Sequence, residues 1–269
     1  MVKVYFTFIR HGESTDNLMK IWAGWRDAPL SQHGMNQANA LAKAQADTRY
    51  TAILASPLKR ALMTAEIIRE AQYIAPPINT SPLLREQHFG VAEGKSYGTA
   101  REPGLSLEEH FAKDIFPVLR ERYLKFPEGE SRNELAQRAN QAIDKLLIPY
   151  IQSAIAEGTE ESHIAVVSHG LFIREITMAL LKRNTDQTDS RGIWHLQNTG
   201  WTRLKVETTG VDQLVKESWP GVRLEVRIID YHRSEHLSGL VRQKAGIGSM
   251  AHDPNQKDIR AFFNKDMRP

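Results

Sequence analysis

The chain has 269 residues, of which 41% are hydrophobic and 25% are charged, and it contains no cysteine. These values are ordinary for a globular protein of one large or two small domains. A net charge of +3 without a basic stripe does not favour nucleic-acid binding, and no apolar run is long enough to predict a membrane span. The lack of cysteine and of a signal-peptide pattern favours the cytoplasm, with the nucleus as a second compartment.

Three segments of the chain repeat one pattern, in which a short apolar run leads into a polar turn. The runs are VKVYFTFI before Arg10, YTAILA before Ser56 and HIAVVS before His169. Runs that are apolar on both faces are typical of strands buried in a sheet that helices cover. Helical patterns follow the second and third runs at once, and Ser56-Pro57 predicts a helix start with serine as the cap.

Further helices are predicted where a serine precedes an amphipathic segment. The first runs from Ser31 to about Asp47, the second from Ser106 to Lys125, and the third from Ser131 to Gly158. The second and third open with capping boxes, and Pro149 predicts a kink inside the third. His33 and His110 are interpreted as surface residues of such helices. Two late alternating runs, WTRLKVET and VRLEVRIID, predict strands.

The alternation of strands and helices predicts an α/β fold with three layers, in which a mostly parallel central sheet is flanked by helices. Residues 1–236 are expected to form this domain. Residues 237–269 are expected to form a loosely packed, basic C-terminal extension, because their periodicity fades. From residue 222 to the end, nine Lys/Arg stand against six Asp/Glu, which accounts for the net charge.

The polar residues that follow the buried strands predict one shared site. Arg10, His11, Arg60 and His169 all lie at or just after strand ends, and ligands of open α/β sheets bind outside the carboxyl ends of the strands. Guanidinium groups bind phosphate oxygens, and the N-termini of the following helices would add N–H donors. A neutral imidazole is also a nucleophile. The pattern therefore indicates phosphoryl transfer.

A leaving alkoxide needs a proton, and Glu86 in the loop PLLREQHFGVAEGK is the candidate donor. The negative charge of a bound phosphate favours the protonated form of a neighbouring carboxyl group. We expect no metal site, because the acidic residues are scattered and no HxH, HExxH or DxD spacing occurs. The histidines of HRSEH, His232 and His236, lack third and fourth partners.

Six motifs follow one another over most of residues 1–206, and together they resemble the histidine phosphatase superfamily, the phosphoglycerate-mutase-like proteins. The motifs are RHGESTDN from Arg10, WAGWRDAPLSQHG from Trp22, SPLKRALMTAE from Ser56, LREQHFGVAEGK from Leu84, PEGES from Pro127 and VVSHGLFIRE from Val166. The resemblance implies a phosphoglycerate-mutase-like fold. It also implies a phosphoric monoester hydrolase of the histidine acid phosphatase type, which needs no metal and no cofactor.

The resemblance assigns a catalytic role to each matching residue. His11 would be the phosphorylated nucleophile, and Glu86 would be the proton donor. Arg10, Arg60 and His169 would complete the phosphate pocket.

The resemblance also suggests residues that contact the substrate, a phosphorylated small molecule. Asn17 would supply a polar contact, and backbone groups near Gly24 and Gly170 would lie against the substrate. The aromatic residues Trp22, Trp25 and Trp194 are interpreted as core or rim residues.

Three functions stay open on this sequence. A phosphatase of the fructose-2,6-bisphosphatase and TIGAR-type branch, or of a similar set of fungal broad-specificity phosphatases, is the first. A phosphoglycerate-type mutase is the second, although that branch carries a longer insertion between the acidic loop and the GES motif. A catalytically weak phospho-ligand sensor or protein-binding module is the third, although neither the nucleophile nor the acid is lost.

Overall fold

A six-stranded sheet lies at the centre of the computed structural model, which describes residues 2–98, 100–183, 196–208, 224–242 and 246–253. The strands stand in the order β3-β2-β4-β1-β5-β6. All pairings among β1 to β4 are parallel, whereas β5 and β6 are joined on by antiparallel pairings. Their bounds are β1 (Lys3–Arg10), β2 (Ala52–Ala55), β3 (Ile78–Thr80), β4 (Glu161–Ser168), β5 (Trp201–Thr208) and β6 (Leu224–Arg233).

Helices cover both faces of the sheet and produce two separate cores. Successive side chains of β1 point to opposite faces, so Phe6 and Phe8 join one core while Ile9 joins the other. The first core is packed by α5 (Arg132–Ala142), α6 (Ile148–Ala156) and α7 (Gly170–Leu181), and the second by α2 (Gln32–Ala44) and α3 (Lys59–Glu70). The predicted three-layer α/β fold is confirmed. Two short helices, α1 (Thr15–Met19) and α4 (Leu107–Ala112), complete the α-helices of the described chain.

The predicted helix Ser106–Lys125 is wrong over most of its length. Only α4 forms, with Ser106 in the expected capping box. The helix stops because Asp114 takes a left-handed conformation with φ +61° and Pro117 disfavours helix at the residue before it. His110 is fully buried rather than on the surface, and its ring bonds the backbone of Ser106 and Glu102. The chain after α4 then packs aromatic residues instead of continuing a helix.

Two other helices differ from expectation in detail. Helix α3 begins at Lys59, with Leu58 at the cap position, so Ser56 does not cap it as predicted. The expected helix Ser131–Gly158 is divided by a π-helical turn at Ile143–Leu147, and Pro149 lies in the first turn of α6. The regular α-helical hydrogen bonding is therefore interrupted before Pro149, whose nitrogen has no hydrogen to donate, and a kink at Pro149 stays a prediction.

The described part of the C-terminal segment packs back onto the N-terminal third of the chain. Arg242 forms a bidentate ion pair with Glu13. The backbone N–H of Gln32 donates to the carbonyl of Met250 at 3.0 Å, and that of His252 donates to Leu30 at 3.1 Å. These contacts differ from the loose packing expected after residue 236. Trp194 lies outside the described residues, and among those described no helix is long and apolar enough to cross a membrane.

Candidate active site

His11 follows directly on the last residue of β1, and its imidazole is almost completely buried. The backbone N–H of His11 donates to the carbonyl of Ser168 at 2.9 Å, which fixes His11 beside the end of β4. The ring nitrogen Nδ1 lies 2.6 Å from the carbonyl of Gly12. Because a carbonyl only accepts hydrogen bonds, Nδ1 carries the hydrogen and Nε2 keeps a free lone pair.

Arg60 reaches this lone pair from the first turn of α3. Its Nε donates to Nε2 of His11 at 3.3 Å, and the residue is 1% exposed. Its two terminal nitrogens donate to the carbonyls of Arg26 at 2.7 Å and Gly24 at 2.8 Å. Gly24 turns the chain with φ +46°, a conformation that suits glycine. The guanidinium is therefore held rigidly beside the imidazole.

A second histidine and a second arginine complete the cluster. The His169 ring lies 5.0 Å from the His11 ring, and its Nε2 is 2.8 Å from the hydroxyl of Ser56. Arg10 donates from Nη1 to the carbonyl of Leu196 at 2.6 Å. Within the described residues, Nδ1 of His169 and Nε of Arg10 are buried without a hydrogen-bond partner. Both atoms suit the oxygens of a bound anion.

Burial sets the charge of this cluster. Desolvation, followed by the neighbouring Arg60 and Arg10, lowers the pKa of His11 well below 6.5, and the hydrogen bond to Gly12 opposes this only in part. Desolvation and the same arginines, together with His11, also lower the pKa of His169 well below 6.5. Both imidazoles are therefore neutral at pH 7. Arginine stays protonated in proteins even where burial lowers its pKa, so the site carries positive charge.

The side-chain carboxyl group of Glu86 lies at the N-terminus of α7, beside the cluster. Its Oε1 accepts from the N–H of Gln87 at 3.0 Å and of Phe172 at 3.1 Å, and its Oε2 accepts from Leu171 at 3.2 Å. The N–H of Lys59 at the start of α3 likewise donates to a carboxylate. The donors at these two helix N-termini therefore serve protein carboxylates, and the arginines and histidines remain as the candidate anion-binding groups.

The three predicted substrate contacts lie near the cluster. Asn17 accepts from Ser14 N at 3.1 Å and from Asn198 Nδ2 at 3.2 Å, and Asn198 also donates to the carbonyl of His11. Gly170 lies against the side chain of Arg10, since a Cβ built at Gly170 would make an ordinary contact with it at 3.8 Å. Gly24 holds Arg60 as described. Direct substrate contact by these residues stays a prediction.

Several supporting residues were not predicted. Ser56 binds His169 instead of capping a helix, and Thr64 accepts the N–H of Gly12 at 3.1 Å. Arg138 donates to the carbonyl of Glu86 at 2.9 Å, and Trp25 donates to the same carbonyl at 2.8 Å. These residues sit in ordinary helical or loop patterns, so no local signal marks them. Among the residues that the structure describes, no group of three or more metal-ligating side chains is found.

The fold and the site together define an α/β protein with a positively charged anion site that contains neutral histidines. The chain belongs to the histidine phosphatase superfamily (branch 1), whose family model matches residues 6–217. A protein of Schizosaccharomyces pombe named as a probable phosphatase is 30% identical over 259 residues, which are 96% of this chain and 79% of that protein.

Two other comparisons agree with this family. A 2,3-bisphosphoglycerate-dependent phosphoglycerate mutase of Lactobacillus johnsonii is 34% identical over 66% of this chain and 81% of its own length. A solved mycobacterial glucosyl-3-phosphoglycerate phosphatase superposes with a TM-score of 0.60 at 22% identity, over 86% of this chain and 100% of that one. At this identity the likeness to the solved structure shows the fold alone.

Proposed function

We propose that this protein is a metal-independent phosphatase, which hydrolyses phosphomonoesters of sugars or similar small metabolites through a phosphohistidine at His11. The observation that carries the proposal is the state of the His11 ring. Its Nδ1 is fixed on the Gly12 carbonyl, and its Nε2 lone pair meets the guanidinium of Arg60 at 3.3 Å. A neutral imidazole beside a buried cation suits attack on a phosphorus atom whose oxygens the cation binds.

In the first step, Nε2 of His11 attacks phosphorus and the P–O bond of the ester breaks. Glu86 gives its proton to the leaving oxygen. Its Oε2 accepts a hydrogen bond from the N–H of Leu171 and has a second lone-pair position that can carry this proton. Arg10, Arg60 and His169 stabilise the charge on the three equatorial oxygens. The Gly12 carbonyl accepts from Nδ1 and so stabilises the positive charge that develops on the ring.

In the second step, water attacks the phosphohistidine and the P–N bond breaks. The Glu86 carboxylate accepts the proton of the attacking water, which restores the acid for the next cycle. His11 returns to its neutral form, and the products are an alcohol and inorganic phosphate.

The direct test is turnover of p-nitrophenyl phosphate, with a phosphate-labelled substrate in a parallel experiment that is quenched and worked up in alkali, where a phosphohistidine survives. Wild type should form an alkali-stable labelled protein, and His11→Ala should lose both the label and at least about a thousandfold of the rate. His33→Ala is the matched control, since His33 lies outside the cluster, and it should keep both. Equal turnover in wild type and His11→Ala would disprove the mechanism.

The role of Glu86 as proton donor is tested by how strongly the rate depends on the leaving group. Glu86→Gln keeps the shape of the side chain but removes the proton, so it should slow an alkyl phosphate far more than p-nitrophenyl phosphate, whose leaving group needs little protonation. Equal losses on both substrates would assign the proton donor elsewhere.

The mutase remains the second candidate, because one relative at 34% identity is named a phosphoglycerate mutase. A mutase would interconvert 2- and 3-phosphoglycerate and would depend on 2,3-bisphosphoglycerate as a primer. We expect release of inorganic phosphate without such dependence. The relative named as a probable phosphatase supports this, since it aligns over 96% of the chain, and it fits the expected fungal phosphatase branch.

A further inference from the structure

A cavity of about 270 Å³ opens beside the cluster, and its wall is mainly apolar. Trp22, Phe89 and Phe126 form one side, with ring centroids 4.6 Å apart for Trp22 and Phe89 and 5.3 Å apart for Trp22 and Phe126. Leu124 and Leu171 contribute aliphatic surface. The segment after α4, which was expected to be helical, supplies much of the remaining wall. Part of the cavity wall therefore comes from the segment whose structure differs most from the helix predicted for it.

The cavity adjoins the reacting groups. Gln87 and Leu171 line it, and their backbone N–H groups hold the two oxygens of Glu86. Tyr97 also lines it, and while burial lowers the pKa of Arg10, Tyr97 in its ionised form would raise it. An ester bound with its phosphate on the arginines, and with its bridging oxygen at Glu86, would extend its organic part along this wall.

Several polar side chains of the wall are engaged within the protein. The amide nitrogen of Gln87 donates to the carbonyl of Glu130 at 2.6 Å, and the Glu130 carboxylate pairs with Arg138 at 2.7 Å. Lys125 pairs with Glu134 at 2.7 Å, and the indole N–H of Trp22 donates to the Phe116 carbonyl at 3.0 Å.

Such a wall discriminates between kinds of leaving group. A sugar hydroxyl that is buried against the aromatic and aliphatic side chains of this wall loses its hydrogen bonds to water, which costs roughly 1–3 kcal/mol for each unpaired group. An alkyl or aryl group gains roughly 0.8 kcal/mol for each methylene that it buries.

We propose that this cavity is the leaving-group subsite, and that the preferred substrates are phosphomonoesters of apolar alcohols, with an alkyl or aryl group larger than a benzene ring. This inference rests on the proposed phosphatase function, but it replaces sugars by apolar alcohols as the preferred organic part of the substrate. The chemistry is unchanged: the ester P–O bond breaks, Glu86 protonates the leaving oxygen, and an apolar alcohol departs. Cavities of about 150 Å³ with apolar walls already accommodate benzene, so this one has room for more.

The test compares ethyl, butyl and hexyl phosphate with glycerol 3-phosphate. The three alkanols are equally basic leaving groups and glycerol is a slightly better one, so a preference for hexyl phosphate reports binding rather than chemistry. We expect kcat/KM to rise by up to about fourfold for each added methylene and to be lowest for glycerol 3-phosphate. Equal kcat/KM values for ethyl and hexyl phosphate would overturn the assignment of the subsite. A preference for glycerol 3-phosphate would overturn it as well.

Variants then locate the subsite. Leu124→Asn should reduce the ratio of kcat/KM for hexyl over ethyl phosphate by about tenfold, because it places an amide in the wall. Tyr123→Asn is the matched control, since Tyr123 is 70% exposed, and it should keep the ratio of wild type. Val118→Asn, on the exposed rim of the wall, is a second test that does not disturb the core. An unchanged ratio in both wall variants would overturn the assignment.

The two proposals fail in different ways. If the phosphatase mechanism is wrong, His11→Ala retains the activity of wild type on every ester. If only the subsite is wrong, wild type still depends on His11 but shows no preference for longer alkyl chains.

Discussion

The hydroxyl of Ser56 lies 2.8 Å from Nε2 of His169, and both residues are fully buried. The Ser56 oxygen also accepts from the N–H of Leu58 at 3.4 Å, which leaves its own hydrogen to donate to the imidazole. In that arrangement Nε2 of His169 is the acceptor and Nδ1 carries the hydrogen. Ser56 is thus a positioning residue, which keeps His169 as a hydrogen-bond donor toward an anion.

Ser56→Ala should lower kcat/KM by about tenfold or more and the free energy of unfolding by about 1–3 kcal/mol, because the buried ring nitrogen loses its partner. Affinity for inorganic phosphate as a product inhibitor should fall with kcat/KM. Ser162→Ala is the control, since Ser162 is buried at the far end of β4 and bonds Thr51 at 3.1 Å. Ser162→Ala should lower the free energy of unfolding but should leave kcat/KM unchanged. Equal kinetic losses in both variants would refute the positioning role.

Arg138 and Glu130 form a largely buried ion pair behind the loop that carries Glu86. Arg138 also donates to the carbonyls of Leu83, Arg85 and Glu86. Arg138→Met should lower the free energy of unfolding by roughly 3–5 kcal/mol, because it leaves a buried carboxylate unpaired. It should also lower kcat, since Glu86 loses its support. Urea unfolding and steady-state kinetics measure the two effects.

The control for this prediction is Arg183→Met, which removes a surface ion pair with Asp144. Surface pairs contribute about 0–1 kcal/mol, so stability and kcat should change little. The double variant Arg138→Met with Glu130→Gln should recover part of the stability. No recovery in this double-mutant cycle would contradict a specific pair.

The ion pair between Arg242 and Glu13 ties the C-terminal segment to the loop that follows His11. Glu13 also accepts the hydroxyl hydrogen of Ser31 at 2.7 Å. Arg242→Gln should lower the free energy of unfolding by about 1–3 kcal/mol, since hydrogen bonds to charged groups are involved. Arg233→Gln is the control, because its exposed pairs should contribute less than about 1 kcal/mol. Similar losses in the two variants, measured by urea unfolding, would argue against a specific tie.

The buried histidines predict that stability falls in mild acid. Burial and the neighbouring arginines lower the folded-state pKa of His11 and His169 below their ordinary value of 6.5, so the unfolded chain protonates first as pH falls. Their full contribution is therefore present above about pH 6.5 and is lost progressively as pH falls toward the folded-state pKa values. Each histidine contributes a slope of up to about 1.4 kcal/mol per pH unit.

Urea unfolding at pH 7.5, 6.5 and 5.5 measures this dependence. The double variant His11→Asn with His169→Asn isolates the two sites, and its stability should vary less over the same range. A wild-type protein whose stability rises from pH 6.5 to 5.5 would contradict the prediction.

The reactive groups of the site were predictable because they follow buried strands. The run before Arg10 is apolar on both faces, and the topology of parallel sheets then brings its end close to His169. Arg60 follows the neighbouring strand β2 by the same rule. Local patterns and one rule of topology were therefore sufficient for the reactive cluster.

The supporting residues were not predictable, because their partners lie far away in the chain. Ser56 and Pro57 form a good helix start, but the serine hydroxyl is used by a histidine 113 positions later. The capping box at Ser106 is real, yet the helix ends after Ala112, where Asp114 is left-handed and the following chain packs its aromatic residues into a separate core. Arg138 resembles any polar helix residue until its carbonyl partners are known. Local propensity carries no information about such contacts.

The position of β1 in the middle of the sheet has a consequence for biosynthesis. β1 is made before both of its partner strands, since Lys3 pairs with Glu161 on one side and with Glu207 on the other. At about 5–20 residues per second, the strand waits roughly 10–30 s for its first partner. Until then its apolar side chains are available to chaperones and to aggregation. No nascent chain that ends before β4 can pair this strand, so translation itself delays the assembly of the candidate active site.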